Sequence, residues 1–562
     1  MTKLRRLDVL GSIGYLFLMT ATRKLWLLLL VLFSSVLLPL ALPNEFLGSA
    51  IKFLGLRPDE SFYWGNAVLG LICIAPVFYA VSRAPTFGFA AFLGVVFGGV
   101  STALSNFWLM FFQGFSIWTY GGTILGYVGF NALLFPFLRG FSRISGRYRP
   151  FLLAIGWTVY EYFKSIGFLG YPWGLIAYPV SGVLPLIQFV DVTGVWGLSF
   201  LMALVNALVA ELTLVGFRPL FRRQLAFGVV LFASVLVYGA VRLATPIPST
   251  STAELLLVQQ NIDPWNGDID STRLNLDMTA AGLAAAAARP DLAVWSESSV
   301  SNVGINVDKT YFTKGNALAP GVAKLDVPVL FGGVGVVNYE KRQLWNAAVL
   351  ASRDGTIADI YGKMHPVPFA ESIPFFEVDW VRKFFTQVVG IELPWVVGNR
   401  ATVFQVPLQG GGSMSFAAPI CFEDAFADLC RTFIDKGADL FLNITNDSWS
   451  KTWSAEIQHF QAARFRAVEN RRVLVRSTNG GLSSVVGPWG EIRLRMPFFK
   501  RMYQNVSVPI FKEKTLTLYS RFGDWFPQVL IALLFIVLLV DALPRKKGRP
   551  RTAPLRGEDR PR

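Results

Sequence analysis

Three residues that could carry out nucleophilic chemistry each follow an apolar run of strand length. Glu297 ends the run 292–297, Lys363 follows a second run, and Cys421 follows the run 414–420. The residues after Cys421 predict a helix, and a cysteine at a helix N-terminus is stabilised as the nucleophilic thiolate. Taken singly, such a cysteine is more often a small buried residue, and a lysine or glutamate is more often a surface charge. Because a carboxylate at the tip of a buried strand is costly unless it is paired or used, Glu297 favours a catalytic interpretation.

Residues 253–510 resemble an ordinary globular domain in which apolar strands alternate with helices. Pro290 ends an alanine-rich helix because proline cannot continue the hydrogen-bond ladder, and Asp354-Gly355 between two strands indicates a hairpin. Strands that alternate with helices predict a layered α/β domain. Strands are predicted at 254–262, 292–297, 327–337, 414–420 and 439–444, hairpins at 344–361 and 473–495, and helices at 271–289, 424–436 and 456–472.

The rest of the chain is strongly apolar. Of the 562 residues, 53% are hydrophobic and 16% are charged, whereas soluble domains carry about 25% charged residues. Because about 20 apolar residues cross a bilayer as a helix, the apolar runs predict a polytopic α-helical membrane bundle of about eight helices. The run at 150–163 is the least regular, since Glu161 and Lys164 lie at its end. The predicted spans are 25–43, 64–82, 87–111, 117–138, 150–163, 194–214, 225–244 and 525–541.

The positions of lysine and arginine predict how the chain crosses the membrane. With a cytoplasmic N-terminus, the inside loops hold thirteen of these residues and the C-terminal tail holds eight, while the short outside loops hold only Lys52, Arg57 and Lys164. Seven spans before the α/β domain then place that domain outside the cytoplasm. The predicted organisation is membrane helices 1–7 in 1–245, the catalytic domain in 253–510, a return segment with helix 8 in 511–541, and a basic cytoplasmic tail in 542–562.

Composition also excludes several classes of function. The net charge of +15 follows mostly from membrane topology and from a tail suited to anionic lipid headgroups, and no nucleic-acid motif accompanies it. Three cysteines are too few and too scattered for a disulfide framework. The two histidines, His365 and His459, lack metal-ligand spacing. We therefore expect no nucleic-acid partner, no metal and no cofactor.

The order Glu, Lys, Cys at three strand ends resembles the nitrilase superfamily, and the flanking motifs resemble the apolipoprotein N-acyltransferase family. The resemblance covers nearly the whole chain, including the position of the domain between the seventh and eighth helices. Phe422 is one departure, because the family often has tyrosine after the nucleophile. The motifs are Asn106-Phe107-Trp108, Gly170-Tyr171-Pro172-Trp173, Pro419-Ile420-Cys421-Phe422-Glu423, 442–449 (LNITNDSW), 476–481 (RSTNGG) and 519–525 (YSRFGDW).

The resemblance implies a nitrilase-like αββα sandwich on the extracytoplasmic, periplasmic face of the cytoplasmic (inner) membrane. It also implies transfer of a phospholipid acyl chain, through a thioester on Cys421, to the diacylglyceryl-cysteine α-amine of an apolipoprotein. This is the final step of lipoprotein maturation. Glu297 is expected to act as the base and Lys363 to stabilise the oxyanion, in an enzyme that works as a monomer. The expected supporting residues are Glu371, Phe422, Glu423 and Asn446.

Aromatic residues after the lysine indicate a cover for the site. The segment 372–400 carries Phe384 and Phe385 among its aromatic side chains, and a mobile arm of this kind would keep water from a thioester. Packing on the domain's own core is the alternative interpretation. Trp265 follows the first predicted strand, where the family has a functional tryptophan, and it is a candidate substrate contact.

Two other functions fit parts of the sequence. A membrane-tethered amidase or nitrilase would use the same three residues with water as the second nucleophile, but eight helices exceed what a tether needs. A sensor or transporter with a degenerate enzyme-like domain is the second alternative. Transport sites usually show mid-membrane ionisable residues or internal repeats, and these spans have almost no charges at mid-depth. The intact Glu, Lys and Cys set also argues against degeneracy.

Overall fold

In the computed structural model, a helical bundle and an α/β domain share a continuous hydrophobic core. The predicted basic tail, 542–562, lies almost wholly outside the described residues. The structure describes residues 2–543 except 58, 115, 267–268, 301–302, 308–310, 313–316, 369–370, 374, 377, 390–394 and 512–515, with only the backbone of 2–20 and 311–312.

The apolar runs fold as helices because a helix satisfies its backbone hydrogen bonds internally, which a bilayer requires. Turns of 3-10 or π type at Glu60–Tyr63, Phe107–Phe111 and Ile117–Gly121 extend or connect them. The α-helices are α1 (Thr2–Ala41), α2 (Phe46–Phe53), α3 (Ala67–Gly70), α4 (Ala75–Arg83), α5 (Phe87–Ser105), α6 (Gly122–Ile144), α7 (Arg149–Ser165), α8 (Leu184–Ile187), α9 (Val190–Thr193), α10 (Val195–Val215), α11 (Pro219–Ala244), α12 (Ser271–Ala284), α13 (Leu318–Leu325), α14 (Asp379–Lys383), α15 (Ala427–Asp435), α16 (Trp453–Asn470), α17 (Leu518–Phe522) and α18 (Trp525–Ala542).

Seven helical stretches among the described residues are long and apolar enough to cross a membrane. The sequence predicted eight, and the difference is the span at 150–163, which lies in α7. Helix α7 has 17 residues, so at 1.5 Å per residue it is about 26 Å long, shorter than a hydrocarbon core of about 30 Å. The seven stretches are Ala21–Ala41, Glu60–Arg83, Phe87–Ser105, Ile117–Ile144, Val195–Val215, Pro219–Ala244 and Trp525–Ala542.

Helix α7 nevertheless lies within the bundle, where it packs against α6, α10 and α18. The two charged residues near its C-terminal end are buried and bonded to the loop that follows it. The Glu161 carboxylate accepts a hydrogen bond of 2.8 Å from the Ile176 backbone N–H, and Lys164 Nζ donates one of 2.8 Å to the Trp173 carbonyl. These charges therefore hold the loop whose Trp173 reaches the α/β domain.

The α/β domain contains two mixed sheets. The first has the order β14-β1-β2-β5, with β6 and β7 continuing from β5 and with β3 and β4 pairing beside another part of β5. The second has the order β13-β12-β11-β10-β9-β8. The strands are β1 (Ser251–Gln259), β2 (Leu292–Val294), β3 (Gly304–Asn306), β4 (Tyr311–Phe312), β5 (Val329–Asn338), β6 (Gln343–Ala351), β7 (Ile357–Gly362), β8 (Phe404–Pro407), β9 (Ser413–Ala417), β10 (Leu440–Thr445), β11 (Val473–Thr478), β12 (Ser484–Val486), β13 (Ile492–Arg495) and β14 (Met502–Ile510).

The layers form an αββα sandwich, which confirms the predicted fold class. The sheets meet where β1 contacts β11, α12 packs on β1 and β14 of the first sheet, and α16 packs on β11 of the second. Strands β1, β2 and β5 run parallel, as do β9, β10 and β11. Parallel strands are covered on both faces, which is why their sequences are continuous apolar runs.

Helix α16 is the element that joins the domain to the bundle. Its far side contacts α9 and α17, so the residues Ser454–Asn470 are all buried. The carboxyl ends of the parallel strands, where functional residues of α/β sheets usually lie, therefore open close to the membrane helices.

Candidate active site

Cys421 lies in a strained turn shortly after β9. Its φ angle is +51°, a left-handed value that is uncommon for residues other than glycine and is often found at functional sites. The following segment, Cys421–Ala425, is a 3-10 turn, and α15 begins only at Ala427. The predicted helix start at 424 was therefore wrong by three residues.

The surroundings of the sulfur oppose the stabilised thiolate that the sequence predicts. Burial raises the pKa of the Cys421 thiol well above its usual value, and the carboxylates of Glu297 and Asp447 raise it further, against an opposing effect of Lys363. Desolvation and the two carboxylates thus raise the pKa of the thiol more than Lys363 lowers it. A cysteine in this state needs a base that removes its proton during attack.

Glu297 stands three residues beyond β2, at a turn that depends on a close approach of strand β5. Ser298 has a φ angle of +55°, and a Cβ added at Gly332 would lie 2.6 Å from the Glu297 Cα. The carboxylate accepts hydrogen bonds from Asn346 Nδ2 (2.8 Å, at Oε1) and from the Asn446 backbone N–H (2.9 Å, at Oε2). Burial raises the pKa of Glu297 above its usual value, against the attraction of the nearby lysine. A carboxylate whose pKa is raised binds a proton more readily than a free one, as a general base must.

Lys363 follows β7 and is 3% exposed, so its charge must be paired. Its Nζ lies 2.8 Å from Glu371 Oε2 and 3.6 Å from Glu297 Oε1. Although burial by itself lowers the pKa of Lys363, these two carboxylates raise it above the usual value. Asn346 Nδ2 also donates to Glu371 Oε1 at 2.9 Å. The charged Lys363 ammonium group thus lies between the carboxylates of Glu297 and Glu371, and the Asn346 amide bonds to both carboxylates.

Glu423 joins the nucleophile turn to the lysine loop, and it is fully buried. One oxygen accepts bonds from the Tyr361 hydroxyl (2.8 Å) and from the backbone N–H groups of Met364 (2.6 Å) and His365 (2.9 Å). The other accepts the Ile420 N–H at 2.7 Å. Burial raises the pKa of Glu423 to about 7 despite these donors. Its contacts position the backbone on either side of the site, which a solvated charge in a helix first turn would not do.

Aromatic side chains of the bundle cover the nucleophile turn. The Phe422 ring stacks on Trp173 at 5.6 Å and on Tyr171 at 6.2 Å between ring centroids. The Tyr171 hydroxyl donates to Asn106 Oδ1 at 2.8 Å. The membrane motifs and the nucleophile motif that lie far apart in the sequence are therefore in direct contact.

The other two predicted substrate regions also touch membrane helices. Trp265 Nε1 donates to the Trp449 carbonyl at 3.2 Å, and its ring packs on Phe112 at 5.4 Å. Within the predicted cover segment, the Phe384 ring contacts Trp118 at 6.3 Å, and Phe385 packs on Phe384 at 5.4 Å. Phe384 therefore reaches the membrane part of the chain and does not pack only on the core of its own domain.

A second charged network lies beneath Cys421. His459 Nδ1 donates to Asp447 Oδ2 at 2.6 Å, and Nε2 donates to Asp424 Oδ1 at 2.8 Å. Arg476 forms an ion pair with Asp424 and lies 3.6 Å from Asp447. His459 lies on α16 and is buried, because that helix is covered on both sides.

Metal binding by this network is disfavoured by its geometry. Cys421, Asp447 and His459 offer ligand atoms within 4.8 Å of one another. However, both imidazole nitrogens point at carboxylate oxygens, so the ring carries two N–H groups and has no lone pair for an ion. The cluster is organised as an ion pair network.

Sequence reasoning missed the roles of Asn346, Asp447 and His459 in this arrangement. Asn346 lies within β6, where nothing in the pattern separates it from an ordinary strand residue. Asp447 lies in the motif 442–449, and a buried acid two residues beyond β10 was an available signal. Asn446, by contrast, was singled out, and its side-chain oxygen accepts the Asn479 Nδ2 at 3.0 Å.

Two family models match the two parts of the chain. The apolipoprotein N-acyltransferase N-terminal domain matches residues 49–208, and the carbon-nitrogen hydrolase model matches residues 257–507. The second range contains the three candidate catalytic residues, while the first contains Trp118, Tyr171 and Trp173.

Relatives from spirochaetes are similar over nearly their full length. Apolipoprotein N-acyltransferase 2 of Treponema denticola is 36% identical over 524 residues, covering 90% of this chain and 98% of the relative. The protein of the same name from Treponema pallidum is 37% identical over 89% of this chain and 92% of the relative. Apolipoprotein N-acyltransferase of Borreliella burgdorferi is 31% identical over 91% of this chain and 95% of the relative. The chain therefore belongs to the apolipoprotein N-acyltransferase family.

Proposed function

We propose that the protein moves an acyl chain from a membrane phospholipid to the α-amine of the diacylglyceryl-cysteine that begins an apolipoprotein, the final step of lipoprotein maturation. The printed names of the relatives support this activity. The observation that carries it is the contact between Phe422, next to the nucleophile, and Trp173 of the bundle. A cysteine nucleophile at the junction of domain and bundle is well placed for a substrate that never leaves the bilayer.

In the first half-reaction, Cys421 Sγ attacks the ester carbonyl carbon of the phospholipid while Glu297 accepts the thiol proton. An S–C bond forms, and the carbonyl π electrons move to the oxygen, where the Lys363 ammonium group stabilises the negative charge. The C–O bond then breaks, and Glu297 returns the proton to the lysophospholipid oxygen. Cys421 is left as a thioester.

In the second half-reaction, the acceptor amine attacks the thioester carbonyl carbon. The amine has a pKa near ~8, so a neutral fraction is available at physiological pH. Glu297 accepts an N–H proton as the N–C bond forms, the C–S bond breaks, and the proton passes to Sγ. The products are the N-acylated lipoprotein and the restored Cys421 thiol, and no cofactor takes part.

Water must be excluded between the two steps, because hydrolysis of the thioester would turn the enzyme into a phospholipase. We assign this task to the aromatic segment around Phe384 and Phe385. Its contact with Trp118 supports a cover that closes against the bundle. Trp265, packed on Phe112, borders the same junction and is proposed to contact substrate.

We place the protein in the inner membrane, with both termini in the cytoplasm and the catalytic domain on the periplasmic face. An outer domain after a cytoplasmic N-terminus needs an odd number of crossings. Six long apolar stretches precede the domain, so α7, packed among them, supplies the seventh. We also propose that the protein acts as a monomer.

A membrane-tethered amidase or nitrilase remains the alternative chemistry for the same three residues. It is not favoured, because the first family model covers most of the bundle and the relatives carry transferase names. A hydrolase would release free fatty acid or ammonia and would need no lipoprotein acceptor.

The test is an N-acylation assay with purified protein, phospholipid and a diacylglyceryl peptide, read by mass spectrometry. We expect an added acyl chain with wild type, no product with C421S, E297Q or K363M, and unchanged product with C430S, a control at a buried cysteine outside the site. Wild-type turnover in any of the three variants would remove that residue from the mechanism. Free fatty acid without amide would indicate the hydrolase.

A further inference from the structure

The Cys421 thiol faces a carboxylate that the proposed reaction does not use. Asp447 Oδ1 lies 3.8 Å from Sγ, within reach of a long S–H···O hydrogen bond. The Glu297 oxygens are already engaged, one by Asn346 and Lys363 and the other by the Asn446 backbone. In the absence of substrate, the thiol proton is therefore directed toward Asp447.

Asp447 is held in its charged form by its surroundings. His459 donates to its Oδ2 and Arg476 lies 3.6 Å away. Although burial alone would raise it, these two cations lower the pKa of Asp447 below its usual value. In turn, Asp447 and Asp424 raise the pKa of His459 to about 9, against the effect of burial. Near neutral pH, the network therefore consists of two anions and two cations.

The same network is tied to the backbone of the nucleophile. His459 Nε2 lies 3.2 Å from the Cys421 carbonyl oxygen as well as 2.8 Å from Asp424. The Trp173 ring covers the imidazole at 5.3 Å, and Asp424 and Arg476 are fully buried. A buried network of this kind can fix a side-chain direction, because its charged members bond to one another.

We propose that Asp447 is a positioning residue for the nucleophile: it accepts the S–H hydrogen bond of Cys421 in the resting enzyme and keeps the sulfur protonated until an acyl donor is bound. This inference rests on the proposed acyl transfer. Its consequence is that a site open to lipid does not hold a free thiolate between turnovers. Binding of the donor carbonyl between Lys363 and Sγ then turns the S–H toward Glu297, and attack begins.

The charge on the sulfur depends on groups from several elements, and a test must alter only one of them. Asp447 can be changed without touching the residues proposed to handle protons or charge during the reaction. The titratable groups that face the Cys421 turn or Asp447 are Glu297, Lys363, Glu371, Glu423, Asp424, Asp447, Glu456, His459 and Arg476.

The experiment measures alkylation of Cys421 by iodoacetamide in the full-length protein without lipid, as a function of pH. The thiolate displaces iodide and forms an S–C bond, so the rate follows thiol ionisation, and mass spectrometry assigns it to Cys421. We expect D447N to be alkylated about tenfold faster than wild type at pH 8, as a shift of one pH unit would give. D447E, which keeps the charge, should stay close to the wild-type profile. D291N is the matched control, since Asp291 is an equally buried aspartate at the opposite end of β2.

Three outcomes would overturn the proposal. One is an unshifted profile in D447N, and another is an equal shift in D447N and D447E, which would indicate packing and not charge. The third outcome is an ultraviolet absorbance of a thiolate at pH 7 in the wild type that is lost in C421S. This measurement tests the proposal even if D447N does not fold, which alkylation of the buried Cys430 would reveal. None of these measurements uses phospholipid, so they do not depend on whether the protein acylates lipoproteins.

Discussion

Asn346 is the best place to perturb the active site without touching a reacting group. Its single Nδ2 group donates to Glu297 Oε1 at 2.8 Å and to Glu371 Oε1 at 2.9 Å. Hydrogen bonds to charged groups contribute about 1.5–3 kcal/mol each, so removing both in N346A costs about 3 kcal/mol at the lower end. If that loss falls on the transition state, kcat/KM decreases by roughly 150-fold.

A second substitution at the same position tests whether an added negative charge lowers activity further than loss of the amide. In N346D, a third carboxylate would stand about 2.8 Å from Glu297, and at an effective dielectric constant of about 20 the repulsion is about 6 kcal/mol. The cluster must then bind a proton, which leaves Glu297 a poor base near neutral pH. We expect N346D to be less active than N346A at pH 7.

The assay is kcat/KM for N-acylation of a diacylglyceryl peptide in phospholipid micelles, with the melting temperature recorded in parallel. N505A is the matched control, because the Asn505 side chain donates to the Gly282 carbonyl on the outer side of the first sheet, and its kcat/KM should equal the wild-type value. Wild-type kcat/KM in N346A, or an N346D variant as active as wild type, would refute the assignment of Asn346 as the residue that orients both carboxylates.

Three further predictions follow from the geometry. G332A should lose activity and melt at lower temperature, because its Cβ would lie 2.6 Å from the Glu297 Cα, whereas G333A, whose nearest neighbour is at 3.5 Å, should behave as wild type in both assays. His459 has its folded pKa raised from 6.5 to about 9, so its stabilisation is complete below pH 6.5 and disappears as pH rises through 9. In thermal unfolding, the advantage of wild type over H459Q should therefore shrink by up to about 3 kcal/mol over that window. Changing Phe384 and Phe385 to Ser should lower turnover of lipid far more than the melting temperature; equal losses would indicate core packing.

The residues of the site that could be predicted are those that directly follow predicted strands. Glu297, Lys363 and Cys421 each follow an apolar run, and parallel strands bring their carboxyl ends to one edge, so the order of strands largely determines that these residues meet. The contact between Trp173 and Phe422 was anticipated only in that both belong to motifs of the same family. Local pattern gave no information on their distance.

The parts that could not be predicted depend on how the domain packs on the bundle. His459 belongs to a helix that is buried on both sides only because α9 and α17 cover its outer face, and a sequence does not reveal that cover. The surroundings of the thiol could not be predicted for a related reason. A helix N-terminus favours a thiolate, but the structure has a 3-10 turn there and places the anions of Glu297 and Asp447 around a buried sulfur.

The predicted span at 150–163 shows the same limit from the opposite direction. Hydropathy identified 150–163, and the structure gives a 17-residue helix with Glu161 and Lys164 buried at its end. These two charged residues lower the hydropathy of the predicted span, but in the structure they bond to the loop that carries Trp173. A hydropathy score that is summed residue by residue does not include such hydrogen-bond partners.

The central claim is that Cys421 carries the acyl chain between donor and acceptor, and mass spectrometry of the intact protein tests it most directly. Wild-type protein incubated with phospholipid alone should gain the mass of one acyl chain, mapped to Cys421 and released by hydroxylamine as a thioester would be, while C421A gains none. An unmodified wild-type protein that still N-acylates a lipopeptide, or an acyl chain found on any other residue, would contradict the account.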